Sequence, residues 1–129
     1  MPDPILDASA VLTVIFDEAG ADRVAAHLPG AKVSAVNAAE VMTKLFDLGI
    51  PGNTVYSILE GLQLTILPFG MVEARETAGM RPLTRHAGLS LGDRACLATA
   101  RLENAPALTS DRAWARLGQT VSVDIDVLR

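Results

Sequence analysis

Only 4% of the 129 residues are aromatic, and Cys96 is the single cysteine. One thiol excludes an internal disulfide framework and fits a reducing compartment. With so few rings, the core has to be assembled from Ala, Val, Leu and Ile. No apolar run is long enough to span a bilayer, since the stretch from Ile5 to Ile15 is broken by Asp7, Ser9 and Thr13. The opening residues, Met1-Pro2-Asp3-Pro4, carry no basic residue and no cleavage-type pattern of an export signal. A cytoplasmic protein with no membrane partner is expected. Repeats, low-complexity tracts and linker-like shifts of composition are also missing, so residues 1–129 are expected to form one domain.

Half the residues are apolar and a fifth are charged, a globular composition. The net charge of -4 argues at first sight against a nucleic-acid partner. Its distribution says otherwise. Residues 1–76 carry four Lys/Arg against ten Asp/Glu, a balance of -6, whereas residues 77–129 carry seven Arg against five acids, a balance of +2. Nine of the eleven basic residues are Arg, whose planar fork suits phosphate.

Short β-type runs alternate with helical patterns. Strands are expected at Pro4–Asp7, Lys32–Val36, Leu62–Phe69, Pro106–Thr109 and Val121–Val127. Helices are expected at Ser9–Glu18, Ala21–Leu28, Ala38–Leu48 (capped by Asn37), Asn53–Glu60, Met71–Ala78, Leu91–Asn104 (capped by Ser90) and Arg112–Leu117, with an irregular stretch from Gly79 to Leu89. This order implies βαβ crossovers and a mostly parallel sheet covered on both faces. Ligands of such sheets bind outside the carboxyl ends of the strands.

Four acids fall at or beside helix starts on that edge: Asp7, Glu40, Asp93 and Asp111. Each has a structural reading. Asp7 and Asp111 can cap helices, and Asn37-x-x-Glu40 and Ser90-x-x-Asp93 have capping-box spacing. Jointly they suggest more, because carboxylates gathered in one place repel unless a divalent cation supplies the missing charge. An all-oxygen donor set without a His or Cys cluster points to Mg²⁺ or Mn²⁺.

The residues around these acids carry a resemblance. Ile5-Leu6-Asp7-Ala8-Ser9-Ala10, Ser34-Ala35-Val36-Asn37-Ala38-Ala39-Glu40, Leu89-Ser90-Leu91-Gly92-Asp93-Arg94-Ala95-Cys96-Leu97-Ala98 and Leu108-Thr109-Ser110-Asp111-Arg112-Ala113-Trp114 resemble, in order and spacing, the four motifs of PIN-domain ribonucleases of the VapC toxin family. The resemblance implies a three-layer α/β/α sandwich with a mostly parallel five-stranded sheet. It also implies a metal-dependent endoribonuclease, the toxin of a toxin–antitoxin pair, with RNA as substrate, a VapB-like antitoxin as partner and a homodimer as assembly. Asp7, Glu40, Asp93 and Asp111 become the acidic site: Asp7 and Asp93 as main metal ligands, Glu40 and Asp111 acting through water or a second ion. Ser9 and Thr109 would orient the carboxylates. Hydrolysis by a metal-activated water would leave 5′-phosphate and 3′-hydroxyl ends. The alternative is a PIN fold without catalysis, serving in assembly.

Arg94 and Arg112 each follow a site acid, and Arg81, Arg85 and His86 lie in the expected irregular stretch; these are the candidate RNA contacts. Cys96, three residues after Asp93, reads as a small buried filler, with a thiol nucleophile as the competing reading. Trp114 reads as core and His27 as solvated. Met42, Leu45, Phe46, Val55 and Leu59 are open to two readings, partner groove or core. A phosphoacceptor receiver domain wants an Asp after the third strand, and a haloacid-type phosphatase wants Asp-x-Asp at the first; neither pattern is present.

Overall fold

Successive residues of a strand point to opposite faces, and the two residues of the central strand show it. In a computed structural model that describes residues 2–129, β1 (Ile5–Leu6) sends Ile5 into one apolar cluster and Leu6 into another. Ala107 and Leu108 of β4 (Ala107–Thr109) divide in the same way. With β2 (Lys32–Ser34), β3 (Thr65–Leu67) and β5 (Ile125–Val127), they form one five-stranded sheet in the order β3-β2-β1-β4-β5. Every pairing is parallel, with Ile5 opposite Lys32 and Ala107 at the centre. The sheet is therefore wholly parallel, where the sequence suggested mostly.

Helices cover both faces. The Leu6 side packs on α1 (Ala8–Ile15), α2 (Ala21–Ala25), α3 (Ala35–Asp47) and α4 (Gly52–Gly61) through Val11, Val24, Val41, Leu45 and Val55. The Ile5 side packs on α5 (Met71–Thr84), α6 (Leu91–Glu103) and α7 (Gly118–Val121) through Met80, Cys96, Leu97 and Val121, together with the fully buried Trp114 of the 3-10 segment Arg112–Arg116. Leu45 and Val55 are thus core residues. Met42 and Leu59 instead line a groove of about 400 Å³ with Tyr56, Leu64 and Ile66, beside the edge strand β3. Phe46 lies outside that groove, half exposed with its ring edge-on to Tyr56.

Several boundaries differ from the sequence expectation. The stretch from Gly79 is helical: α5 runs through Pro82 to Thr84, and the 3-10 turn Arg85–Ala87 follows it. Thr77, Met80 and Thr84 recur at helical spacing as its buried stripe against α6, and that packing outweighs the glycine and the proline. Asn37 does not cap α3. The strand ends at Ser34, whose hydroxyl accepts from the Val36 N–H, and Asn37 falls inside the first turn. Near the end, α7 (Gly118–Val121) takes Val121, the first residue expected as strand. Ser122 closes it in the left-handed region (φ 56°), and β5 begins only at Ile125.

Candidate active site at the carboxyl edge of the sheet

The chain runs outward from β1 through β2 to β3, then returns to place β4 on the other side of β1. The carboxyl ends of β1 and β4 therefore flank the point where the strand order reverses, the usual position of a site in a doubly wound sheet. Asp7 follows β1 directly and caps α1. The residue is 5% exposed, and its carboxylate is met by three donors. Oδ1 accepts from the Ser9 hydroxyl at 2.7 Å and the Ala10 N–H at 2.8 Å; Oδ2 accepts from the Thr109 hydroxyl at 2.6 Å. The Ser110 N–H donates to Ser9 Oγ and the Asp111 N–H to Thr109 Oγ1, which ties the loop after β4 to the residue after β1. Ser9 and Thr109 each spend their one proton on Asp7, so the 3.3 Å approach of their oxygens is a contact between two acceptors.

Burial raises the Asp7 carboxyl above its ordinary pKa. The hydrogen bonds from Thr109, Ser9 and Ala10 oppose this without cancelling it, and the charge of Asp93 adds to the rise.

Asp93 lies in the first turn of α6, where its Oδ2 accepts from the Ser90 N–H at 3.0 Å and its own N–H donates to Ser90 Oγ at 3.1 Å, a complete capping box. Glu40, exposed at the surface of α3, accepts at Oε1 from Asn37 Nδ2 at 2.7 Å. The exposed Asp111 caps the 3-10 segment, its Oδ1 accepting from the Ala113 N–H at 2.9 Å. Cys96 lies fully buried in the core on the Ile5 side of the sheet. Burial pushes its thiol pKa well up, and the carboxylates of Asp7, Asp93 and Glu40 push it further. Asp7, Glu40 and Asp93 thus share one electrostatic neighbourhood. Asp111 is linked to Asp7 only by its backbone, through Thr109, while its exposed carboxylate caps the 3-10 segment. The neutral, inaccessible Cys96 is no nucleophile.

A hard divalent cation fits the donor set. Among the described residues no Lys, Arg or His pairs with any of the four acids. Asp93, Glu40 and Asp111 are each anchored through one oxygen, and Asp93 Oδ1, Glu40 Oε2 and Asp111 Oδ2 accept no hydrogen bond from the described residues; Asp7 is held through both oxygens, with Oδ2 retaining one lone pair. No three of the described acids, cysteines or histidines stand close enough to form a ligand set by themselves. An ion held here would take one or two carboxylates directly and the rest through water, the usual manner of Mg²⁺.

The arginines separate. The Arg94 guanidinium, suggested by the sequence as a phosphate contact, donates to the Thr77 carbonyl of α5 at 3.3 Å with Nε buried, and so packs between α5 and α6. Arg112 is exposed and donates to the Arg129 carbonyl. Arg81, Arg85 and His86 are exposed, on the end of α5 and the 3-10 turn. A cavity of about 670 Å³ that His27 lines with Arg101, Asn104 and Asp124 opens at the amino edge, away from all four acids.

The sequence reading missed Asn37 and Gly92. Asn37 is buried, and its Nδ2 bridges Glu40 and the Gly92 carbonyl, joining α3 to α6 beside Asp93. The signals were present: an amide three residues before an acid on a helix, and a glycine in a helical first turn where glycine is disfavoured.

Comparisons with known proteins agree with this architecture. No curated protein sequence matches. Among solved structures, the chain is similar to a DNA-bound VapBC from Salmonella typhimurium (TM-score 0.76, 15% identity, 100% of both chains covered). It is also similar to a toxin–antitoxin complex from Klebsiella pneumoniae (TM-score 0.73, 16% identity, 98% of both) and to FitAcB from Neisseria gonorrhoeae (TM-score 0.66, 22% identity, 94% of both). At these identities the likeness is one of fold. Residues 5–119, most of the chain, match the family described as PIN domain, and the chain belongs to that family.

Proposed function

We propose that this chain is a single-domain, metal-dependent endoribonuclease and the VapC-like toxin of a toxin–antitoxin pair. The observation that carries the reading is the carboxyl-edge set of acids: each keeps an oxygen with acceptor capacity, and no cation among the described side chains pairs with any of them. Mg²⁺ or Mn²⁺ would lower the pKa of water and stabilise charge building on the scissile phosphate. The chain's own part is orientation. Ser9, Thr109 and the Ala10 N–H fix the Asp7 carboxylate and leave one lone pair on Oδ2. Ser90 fixes Asp93 and Asn37 fixes Glu40. Arg112, Arg81 and Arg85 supply exposed positive charge for an RNA backbone, which supports RNA as substrate.

The antitoxin partner is supported by the similar structures, two of which are described as toxin–antitoxin or VapBC assemblies. A homodimer and a cytoplasmic location belong to the same reading; no helix among the described residues is long and apolar enough to cross a membrane.

RNA incubated with the purified protein and Mn²⁺ should be cut to 5′-phosphate and 3′-hydroxyl ends, and EDTA should stop the reaction. Induced alone in a bacterial host, the chain should arrest growth, and Asp7→Asn should relieve the arrest. Cleavage that persists in chelator, or that leaves 2′,3′-cyclic ends, rules the mechanism out. Mn²⁺ binding without cleavage of any RNA would favour the assembly module.

A further inference from the structure

Gly92 needs an explanation that its backbone does not supply. It is the second residue of α6, with no left-handed dihedral to require a glycine, at a helical position where alanine is the better former. What excludes a side chain is space: a Cβ on Gly92 would fall on the carboxylate of Glu40. Glu40 comes from α3, so its carboxylate rests on the first turn of α6, next to Asp93 and at the positive end of that helix. Asn37 completes the arrangement. Its Nδ2 gives one proton to Glu40 Oε1 at 2.7 Å and the other to the Gly92 carbonyl at 3.1 Å. Both partners are acceptors, which fixes the amide orientation, and the side chain is buried with no partner for Oδ1 among the described residues. The open Oδ1 leaves the Glu40 and Gly92 bonds as the amide's only side-chain bonds among the described residues.

We propose that Asn37 and Gly92 are positioning residues, a clamp that seats the Glu40 carboxylate on α6 so that acids from two helices form one site. The proposal rests on the metal-dependent reading above. The clamp acts on a flexible side-chain end, because the atoms meeting a new Cβ are the carboxylate of an exposed glutamate. Gly92→Ala can therefore fold by expelling Glu40 from its seat. A clamp residue would then be lost while helix propensity improves.

The test measures melting in EDTA, the melting shift produced by Mn²⁺ alone, and steady-state RNA cleavage, for wild type, Gly92→Ala, Asn37→Ala and each combined with Glu40→Ala. Gly92→Ala should melt in EDTA at the wild-type temperature or about 2 °C above it. Its Mn²⁺ shift should fall to that of Glu40→Ala, and kcat should drop roughly tenfold or more with little change in KM. In the Glu40→Ala background neither clamp substitution should change the Mn²⁺ shift further, since residues acting through Glu40 have nothing left to position. A metal-free readout comes from the Asn37 side-chain amide protons, which should exchange slowly in wild type and quickly in Gly92→Ala. A Gly92→Ala protein with the full Mn²⁺ shift and wild-type kcat overturns the clamp, as do effects that add fully to those of Glu40→Ala. A wild type that shows no Mn²⁺ shift and no cleavage removes the metal-dependent reading itself, and the clamp with it.

Discussion

Thr109→Val is the sharpest probe of the buried carboxylate. Valine keeps the β-branched shape on a fully buried strand residue and deletes only the hydroxyl. Two bonds go with it: the 2.6 Å donation to Asp7 Oδ2 and the 3.0 Å acceptance from the Asp111 N–H. A hydrogen bond to an ionised buried group contributes about 1.5–3 kcal/mol, and the part-buried Asp111 amide about 1 kcal/mol, so the cost once Asp7 is ionised should be about 2.5–4 kcal/mol. It should also depend on pH in a stated direction. The Asp7 pKa is raised by folding, so its protonated form favours the folded state; this contribution is complete below the unfolded carboxyl pKa and is lost as pH rises through the folded one. The Thr109 hydroxyl favours the ionised form, and its removal moves the folded pKa further up. The gap between wild type and variant should therefore be smallest at acid pH, about 2 kcal/mol from a neutral hydrogen bond and the Asp111 amide at about 1 kcal/mol each, and should widen to its plateau once Asp7 is ionised in both proteins. Urea unfolding in EDTA from pH 4 to 8, with equal m-values, reads the gap directly. A gap that does not change with pH would refute the reasoning and leave Thr109 acting through packing or the Asp111 amide. An Asp7→Asn background should remove most of the pH dependence.

Two other predictions use the same environment. Cys96 should stay unmodified by thiol reagents in the native protein, and Cys96→Ala should keep wild-type kcat for RNA cleavage; rapid labelling at neutral pH would show that its cover opens. The two arginines beside site acids should part company: Arg94→Ala should lower the melting temperature and leave the salt slope of RNA binding unchanged, while Arg112→Ala should leave melting nearly unchanged and reduce that slope by roughly 0.7 for each phosphate no longer neutralised. A reduced slope for Arg94→Ala would place its guanidinium on the RNA after all.

Strand–helix alternation and the four acids were legible because each rests on local chemistry. Short apolar runs, Gly and Pro stops, and acids at helix starts are all readable within a few residues. What the sequence concealed depends on neighbours far along the chain. The helical course of Gly79 to Thr84 is decided by a stripe packed on α6, against the local advice of Gly79 and Pro82. Asn37 carried a cap signature, and only the early end of β2 at Ser34, set by its register with β3, moves it into the helix to face Gly92. Arg94 sits beside Asp93 in sequence, yet adjacent helical residues do not face one another, and its neighbour is Thr77 on α5.

The sequence also posed a choice, cap or site acid, that the structure dissolves. A carboxylate caps a helix with one oxygen. Asp93 gives Oδ2 to Ser90 and Asp111 gives Oδ1 to Ala113, each keeping its second oxygen open. Asp7 caps α1 through Oδ1 and meets Thr109 with Oδ2. In a parallel sheet with helical crossovers, the helices return antiparallel to the strands, so the amino ends of α1, α3 and α6 converge on the carboxyl edge where the acids are gathered. Their unpaired N–H groups and positive ends offset part of the repulsion among the carboxylates. Capping is therefore what lets the chain hold Asp7 and Asp93 close to the Asn37-bound Glu40 without a cation. Removing a cap should cost stability and disorder the proposed ligand oxygen in the same stroke. Asp93→Asn, which keeps an oxygen for the Ser90 N–H, separates the two effects: it should hold its melting temperature in EDTA and lose most of its response to Mn²⁺.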